Sequence, residues 1–577
     1  MSASVAKGGA AALGSILVLA LAVRLWGIAF GLPYDLTADE PHQIVQALKI
    51  GIGEGGPLVR MWHTIGKGGL DYILFGEYGV LFVVLWLTGQ VSGPREFGLL
   101  YLQDPTWFYL VGRVTVAVLG AATCAAIFAA GRAMYGSRTI GLGAAVIGAT
   151  AYYHAADAHQ INVHVPMAFA LWAGIVAYLR YERGGERRWL LIAGLLIGAA
   201  VALAYTAGVG LLMVGLALLT SGGARNGAAA LARDVGTLGA GVLVSVALMS
   251  PDLLMGAGLI LGNFSQLLGG RAPAAGDADG VRGAIDSVTI LRAQDWLGYA
   301  RVLVQPYNLA STLLALVGAA VGVWRRERWT LLLTPFVLLL LGVLSASNRG
   351  LTESYLFPMI PAVWLLASRG VHAVAARDDR LLAAAFAVVI AVPLFRIVRD
   401  DYMLTKPDTR IVAKEWIESH VPSGAKILMD GMRFRFVQGV PLTPDAGTIE
   451  RRLSGVESSE LALSPQTLAM YREAAKGLAG PRYDLHSTMY GLEVGSLDYY
   501  VAQCFDYVVI SSFNEKRYET DAARARYPHA AAFYRDIRRD PRYHRVYDVD
   551  PVVWERIGPT ITVYAVACPV RPPARVG

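Results

Sequence analysis

The chain has 577 residues, of which 55% are hydrophobic and only 16% charged, and its formal net charge is +7. Soluble proteins carry about 25% charged residues, so this composition excludes a disordered chain and argues against a purely soluble enzyme. Glycine follows no three-residue period and there are three cysteines, which excludes collagen-like and disulfide-scaffold classes.

Charge is unevenly distributed. Residues 1–399 hold 28 Lys and Arg against 21 Asp and Glu, whereas residues 400–577 hold 23 of each. The change in charge density predicts a membrane region over 1–399 and a soluble domain over 400–577. The basic excess therefore belongs to the membrane half, where it is a topology signal, and no nucleic-acid partner is expected.

A transmembrane helix needs about 20 mostly apolar residues. The first such run, 11–31, is read as an anchor rather than a cleaved signal, because it is long and carries Arg24 near its outer end. Further runs lie near 106–131, 139–154, 164–180, 189–204, 206–220, 235–257, 305–324, 329–346, 355–368 and 381–398, which brings the expected number of spans to eleven. The segment 70–91 contains Asp71, Glu77 and Tyr78 and reads as a helix lying in the interface or re-entering the membrane. Short loops bearing Arg187-Arg188 and Arg325-Arg326-Glu327-Arg328 belong in the cytoplasm by the positive-inside rule. The first outer loop, 32–105, and the 400–577 domain then lie outside it.

In the soluble part, 409–421 and 528–540 read as helices, and 426–429, 506–511 and 561–567 as strands, the pattern of a compact α/β domain. Cys504 and Cys568 both fall here, where an oxidising compartment would permit a disulfide, although spacing alone does not bring them into range.

Four clusters carry candidate chemistry. Asp39 and Glu40, followed by His42, lie just after the first span. Adjacent carboxylates at a membrane surface are costly unless they act or are paired; the plainer reading is a capped helix start, with Asp39 as cap and Pro41 in the first turn. Arg60, His63, Lys67 and Asp71 are interleaved with Trp62 and Tyr72, a set suited either to a lipid-linked phosphate or to interfacial anchoring. His154, Asp157, His159 and His164 share one short outer loop. Their five-residue spacing does not put ligands on one helical face, so no metal site is assigned and the residues read as lining a cavity or as a solvated loop. Arg349, Glu353 and Tyr355 precede a late span; Arg349 suits a phosphate, or an i,i+4 pair with Glu353.

In this order the motifs resemble the GT-C membrane glycosyltransferases, in particular the bacterial branch related to protein O-mannosyltransferases and the lipid A aminoarabinose transferase. Arg24-Leu25-Trp26-Gly27 followed by Asp39-Glu40 resembles that family's first span and acidic pair. Lys67-Gly68-Gly69-Leu70-Asp71-Tyr72 resembles its Lys-Pro-Pro-Leu segment, and the stretch from His159 to Pro166 its His-x-x-x-x-Asp-x-Pro segment. Tyr355-Leu356-Phe357-Pro358-Met359-Ile360-Pro361 resembles its late Tyr-Leu-x-Pro-x-x-Pro span. His164, Ala204 and Ser354 depart from the pattern, standing where the family has Asp, often Lys and often Arg.

The resemblance implies a mostly α polytopic membrane protein with about eleven transmembrane helices and a C-terminal extracytoplasmic α/β domain, in the bacterial inner (plasma) membrane. It further implies an inverting hexosyl- or pentosyltransferase. The donor would be a polyprenyl-phosphate-linked sugar, and the acceptor a hydroxyl on a protein, lipid or glycan. Asp39 would be the base, with Glu40 supporting it. Lys67, Arg349 and Arg60 would hold the donor phosphate, and His42, Asp157, His159, His164 and Tyr355 would line the cavity. No cofactor is firmly implied, and the family pattern admits a divalent metal. A lipid or glycan transporter and a non-catalytic glycan-binding membrane scaffold are the alternative classes.

Overall fold

The structure, a computed structural model, describes residues 3–34, 36–37, 40–51, 68–221, 227–255, 297–346, 352–430, 432–433, 436–437, 439–457, 465–488, 491 and 494–568. The N-terminal part is a bundle of helices: α1 (Ala3–Leu25), α2 (Glu40–Gly51), α3 (Gly68–Leu87), α4 (Pro94–Gln103), α5 (Thr106–Tyr135), α6 (Arg138–Ala149), α7 (Tyr152–Asp157), α8 (His164–Gly184), α9 (Arg187–Leu203), α10 (Val209–Leu219), α11 (Ala228–Met249), α12 (Gly298–Leu303), α13 (Pro306–Trp324), α14 (Arg328–Ala346), α15 (Ile360–Ala375) and α16 (Asp379–Leu404). Among the described residues six helices are long and apolar enough to cross a membrane: α3, α5, α11, α13, α14 and α16. Shorter apolar stretches in α1, α6, α10 and α15 run beside them.

Small residues let these helices approach closely, as membrane packing favours. At the crossing of α13 and α15 an added Cβ on Gly318 would stand 1.9 Å from the Leu366 carbonyl oxygen, and one on Gly370 would stand 1.9 Å from that of Leu314. Nothing larger than glycine fits either position.

α3 has the length and hydropathy of a spanning helix. Its first turn, at Gly69, packs on Leu203 and Met249, the last residues of α9 and α11. Midway, Tyr78 donates a hydrogen bond to the Phe108 carbonyl at the start of α5. Past its far end, α4 meets the soluble domain through Arg95 and Glu473, and Gly98 packs on Met470.

The C-terminal part begins with α17 (Thr409–His420) and contains α18 (Ala446–Glu457), α19 (Pro465–Gly477), α20 (Leu497–Ala502) and α21 (Pro528–Asp536). Its sheet is formed by β1 (Lys426–Asp430), β2 (Asp484–Thr488), β3 (Tyr507–Ser511), β4 (Tyr543–Val549) and β5 (Ile561–Val566), in the order β2-β1-β3-β5-β4. β1 runs parallel to β2 and β3, and β5 runs antiparallel to β3 and β4. Alternation along the strands divides the core. Ile427, Met429, Val509 and Val563 face Ala413 and Ile417 of α17, while Leu428, Val508 and Ile510 face Tyr500, Phe533 and Tyr534 of α20 and α21. Cys504 and Cys568 are joined by a disulfide across a sequence separation of 64 residues.

The 399/400 division falls inside α16, which continues to Leu404, so Asp400 and Asp401 belong to the helix that delivers the chain to the domain. The junction is close. Gly27 (φ +80) ends α1 so near α16 that an added Cβ would lie 2.7 Å from the Leu404 Cβ. Arg410 donates to the Leu36 carbonyl at 2.9 Å.

At the carboxyl end of β1, Asp430 is buried and accepts hydrogen bonds from the Tyr534 hydroxyl (2.5 Å), the Ser511 amide (3.2 Å) and the Thr488 hydroxyl (3.3 Å). Burial outweighs these donors and pushes its carboxyl up from 3.8 to about 7. The folded state therefore holds this proton more tightly than the unfolded chain. The associated stability is fully present below about pH 4 and is lost as pH rises through about 7, a change on the order of 4 kcal/mol. Thermal unfolding of the full-length protein between pH 5 and 8 is expected to show this loss, and Asp430→Asn is expected to flatten it.

Candidate functional site

Of the charged side chains that the sequence singles out, Glu40 meets a partner that it does not single out, Arg113. Glu40 begins α2 and is completely buried. Its Oε1 accepts from Arg113 Nε (2.8 Å) and from the Ile161 amide (2.9 Å). Its Oε2 accepts from Arg113 Nη2 (2.7 Å) and from the Thr37 hydroxyl (2.6 Å). Arg113, on α5, uses Nη1 for the carbonyls of Ile28 (2.7 Å) and Phe30 (3.0 Å), and its guanidinium lies 4.2 Å from the centre of the Phe30 ring. Glu40 thus accepts four hydrogen bonds and Arg113 donates four, all with fixed partners, the condition under which a buried pair is tolerated. The positive end of α2 adds to the carboxylate's stabilisation.

This clamp ties together the turn after α1, the start of α2, the upper part of α5 and the loop between α7 and α8. Asp39, immediately before Glu40, lies outside the described residues, as do Arg60, His63, Lys67 and Arg349. His42 is half-buried one turn into α2.

A second buried cation sits nearby. Arg24 donates from Nη1 to the carbonyls of Ala20 (2.8 Å) and Ala149 (3.2 Å), and from Nη2 to Gly148 O (3.2 Å) and His154 Nδ1 (3.1 Å). It thereby caps the carbonyl end of α6 with positive charge. A guanidinium only donates, so Nδ1 of His154 is the acceptor and the neutral ring carries its proton on Nε2. His159 is held differently. Nδ1 faces the Ala155 carbonyl (2.9 Å), and Nε2 faces both the Trp26 carbonyl (3.1 Å) and Asp401 Oδ1 (3.3 Å). The α7–α8 loop is thus bound to α1 and to α16 through one imidazole.

The rest of that loop behaves unevenly. Asp157 ends α7 half-buried, and its backbone carbonyl accepts from Asn162 Nδ2 (2.5 Å). Asn162 Oδ1 in turn accepts from the His164 and Val165 amides at the start of α8. The His164 ring packs edge-on to Tyr355, with centroids 5.5 Å apart, so two residues distant in sequence do meet.

A small cavity of about 30 Å³ lies among α7, α12, α13, α15 and the turn before α15. From the histidine loop it takes Tyr153 and His154, not Asp157, His159 or His164, and from the late span it takes Glu353, Leu356 and Phe357 rather than Tyr355. His159 cannot contribute, because carbonyls and Asp401 occupy both its nitrogens. Beside the cavity, Tyr153 and Tyr307 share a 2.6 Å hydrogen bond, and Tyr152 donates to Asp400 at 2.7 Å. Among the described residues no three His, Cys, Asp or Glu side chains come together as a metal-binding group. Arg113 and Asp401 escaped the sequence reading. The available signal was an ionisable residue inside an apolar run.

Comparison with known proteins is informative at the level of fold. No protein-family model matches the chain, and no curated protein matches it. Solved structures do. ArnT from Cupriavidus metallidurans in the apo state aligns over 98% of this chain and 99% of its own, with a TM-score of 0.51 and 10% identity. The same protein bound to undecaprenyl phosphate aligns over 95% and 97%, with a TM-score of 0.49 and 12% identity. The oligosaccharyltransferase of Archaeoglobus fulgidus in its apo form covers 91% of this chain and 71% of its own, with a TM-score of 0.47 and 12% identity. The chain shares the fold of ArnT over nearly its whole length.

Removing one member of the Glu40–Arg113 pair leaves an uncompensated buried charge. Arg113→Ala is expected to cost about 3–5 kcal/mol. The double variant Glu40→Gln/Arg113→Met is expected to recover most of that loss, as read from denaturant or thermal unfolding of the detergent-solubilised protein.

Proposed function

We propose that the chain is an integral-membrane glycosyltransferase. It moves a sugar from a polyprenyl-phosphate donor to a hydroxyl acceptor at the domain-side face of the membrane. The observation that carries this reading is the fully satisfied Glu40 clamp, which fixes the backbone next to Asp39 where the bundle meets the soluble domain. A carboxylate with four filled hydrogen bonds is a poor proton acceptor, so Glu40 is assigned a positioning role and Asp39 the chemical one. The fold shared with ArnT supports the glycosyltransferase reading as a whole.

In the proposed step the acceptor hydroxyl gives its proton to the Asp39 carboxylate as its oxygen attacks the anomeric carbon. The new C–O bond forms as the bond from that carbon to the phosphate oxygen breaks, and the electron pair leaves with the polyprenyl phosphate. A phosphate leaves without protonation, so cations rather than a second acid are needed to hold its charge. Lys67, Arg349 and Arg60 are assigned to that task. One displacement inverts the anomeric centre, in contrast to hydrolysis through a pair of flanking carboxylates.

The topology proposed with this function has eleven crossings, α3 along the outer surface, and the C-terminal domain outside the cytoplasm of a bacterial inner membrane. A Ser419→Cys variant, at an exposed position on α17, is then expected to react with a membrane-impermeant maleimide added from the outer side.

In proteoliposomes supplied with a labelled lipid-linked sugar, Asp39→Asn is expected to slow release of polyprenyl phosphate by about 100-fold or more. Lys67→Ala is expected to raise KM for the lipid donor. Undiminished turnover by Asp39→Asn would remove the base assignment.

A further inference from the structure

Large apolar side chains are few on the surface of the C-terminal part, and two of them are adjacent. Val553 is 66% exposed and Trp554 48%, whereas Tyr499 and Phe513, the others that stand out among the described residues, are isolated in sequence. Isolated apolar residues on a surface are ordinary; an adjacent pair that a turn holds outward is not. The turn lies between β4 and β5 and is closed by its own hydrogen bonds. The Val552 amide donates to the Arg556 carbonyl (3.1 Å), and the Glu555 and Arg556 amides donate back to the Val552 carbonyl (3.0 and 2.9 Å). At its tip Trp554 has φ +75, a conformation that favours glycine and that a bulky residue adopts only when held there. The fold thus presents a tryptophan outward where glycine would relieve the backbone.

The position of the turn supplies a reason. The Trp554 amide reaches Met403 Sδ (3.0 Å), and its ring lies against that of Tyr402 (centroids 5.7 Å), both in the last turn of α16. α16 is one of the helices able to span a membrane. From Arg380 to Tyr402 it covers about 33 Å at a rise of about 1.5 Å per residue, and a hydrocarbon core is about 30 Å thick. The turns just before Tyr402 carry Arg396, Arg399 and Asp400, ion-paired with one another, the composition of a helix entering the headgroup layer. At the same level Gly27 packs on Leu404, and the neighbouring Trp26 is 41% exposed. Lys406 lies over the Tyr402 ring at 4.2 Å. Two exposed tryptophans, a tyrosine and a lysine around one helix end are the residue types that collect where hydrocarbon meets water. Asp550 and Glu555 are exposed carboxylates on the same connection, so the turn is not suited to anionic headgroups.

We infer that the 552–556 turn is a membrane-contact site of the soluble domain, with Val553 and Trp554 seated in the interfacial layer of the bilayer beside the end of α16. Arg410 of the same domain holds the Leu36 carbonyl, so the contact also sets the domain's height over the segment that leads to Glu40. The inference depends on the membrane region alone and not on the glycosyltransferase reading.

The test uses the full-length protein in phosphatidylcholine nanodiscs, with an environment-sensitive NBD fluorophore on Val553→Cys. Cys124 is buried and Cys504 and Cys568 are bonded to each other, so the new thiol is labelled selectively. Phosphatidylcholine carrying a nitroxide high on its acyl chain is expected to quench this fluorophore about twofold or more, and aqueous iodide to quench it about threefold less than the same label on Ser419→Cys. Adding anionic lipid is expected to change neither result. Absence of quenching by nitroxide lipid overturns the inference: iodide access equal to that at Ser419 then means a turn in water, and shielding from iodide means a contact with protein. Quenching that appears only with anionic lipid overturns it as well. Trp554→Gly suits the positive φ, so its thermal midpoint is expected not to fall, while nitroxide quenching at position 553 drops about twofold or more. Full quenching retained in Trp554→Gly removes Trp554 from the contact.

Discussion

The buried ion pair between Glu40 and Arg113 is the constraint on which the domain-side end of this molecule depends. A charge in a low-dielectric interior is sustained only by complete pairing, and here completeness needs four pieces of chain at once: the turn bearing Ile28 and Phe30, the start of α2 with Thr37, the upper part of α5, and the loop bearing Ile161. No subset satisfies both ions. The loops of this region are therefore placed by electrostatics together with the apolar packing of residues such as Ile161 and Val163.

A second set of charges repeats the principle with a different outcome. Arg24 donates to three carbonyls and one imidazole nitrogen, and it sets the state of His154 by claiming its lone pair. His159, five residues on, meets acceptors at both nitrogens and serves as a strut between α1 and α16. Two histidines in one short loop thus separate into a positioned donor and a structural link. What separates them is the partner each meets, not their spacing.

Much of the architecture was legible in the chain. Apolar runs located the helices, the change in charge density located the soluble part, and the alternation in 426–429 and 506–511 located two central strands. The polar content of 70–91 set α3 apart in the sequence as an interfacial or re-entrant helix, whereas its length and hydropathy class it with the helices able to span. The edge strands β2 and β4 were missed, because Asp484-Leu485-His486-Ser487-Thr488 and Tyr543-His544-Arg545 lack the apolar content of buried strands. At the site, the acidic pair and the histidine loop were legible as unusual residues, but their division of labour was not. That Arg113 takes Glu40 and Arg24 takes His154 depends on helices 73 and 130 residues apart in sequence coming together. His164 and Tyr355 do meet, and both stand in motifs that suggested a shared site.

The disulfide between Cys504 and Cys568 has a consequence for biogenesis. Cys568 follows the last strand of the sheet, so the bond closes only after β5 has been delivered to the same compartment as Cys504, and only where thiols are oxidised. In the proposed topology the bond would be a chemical record of the side of the membrane on which the domain matured. It is written independently of the arginines that orient the helices, and a chain inserted upside down would keep both thiols free.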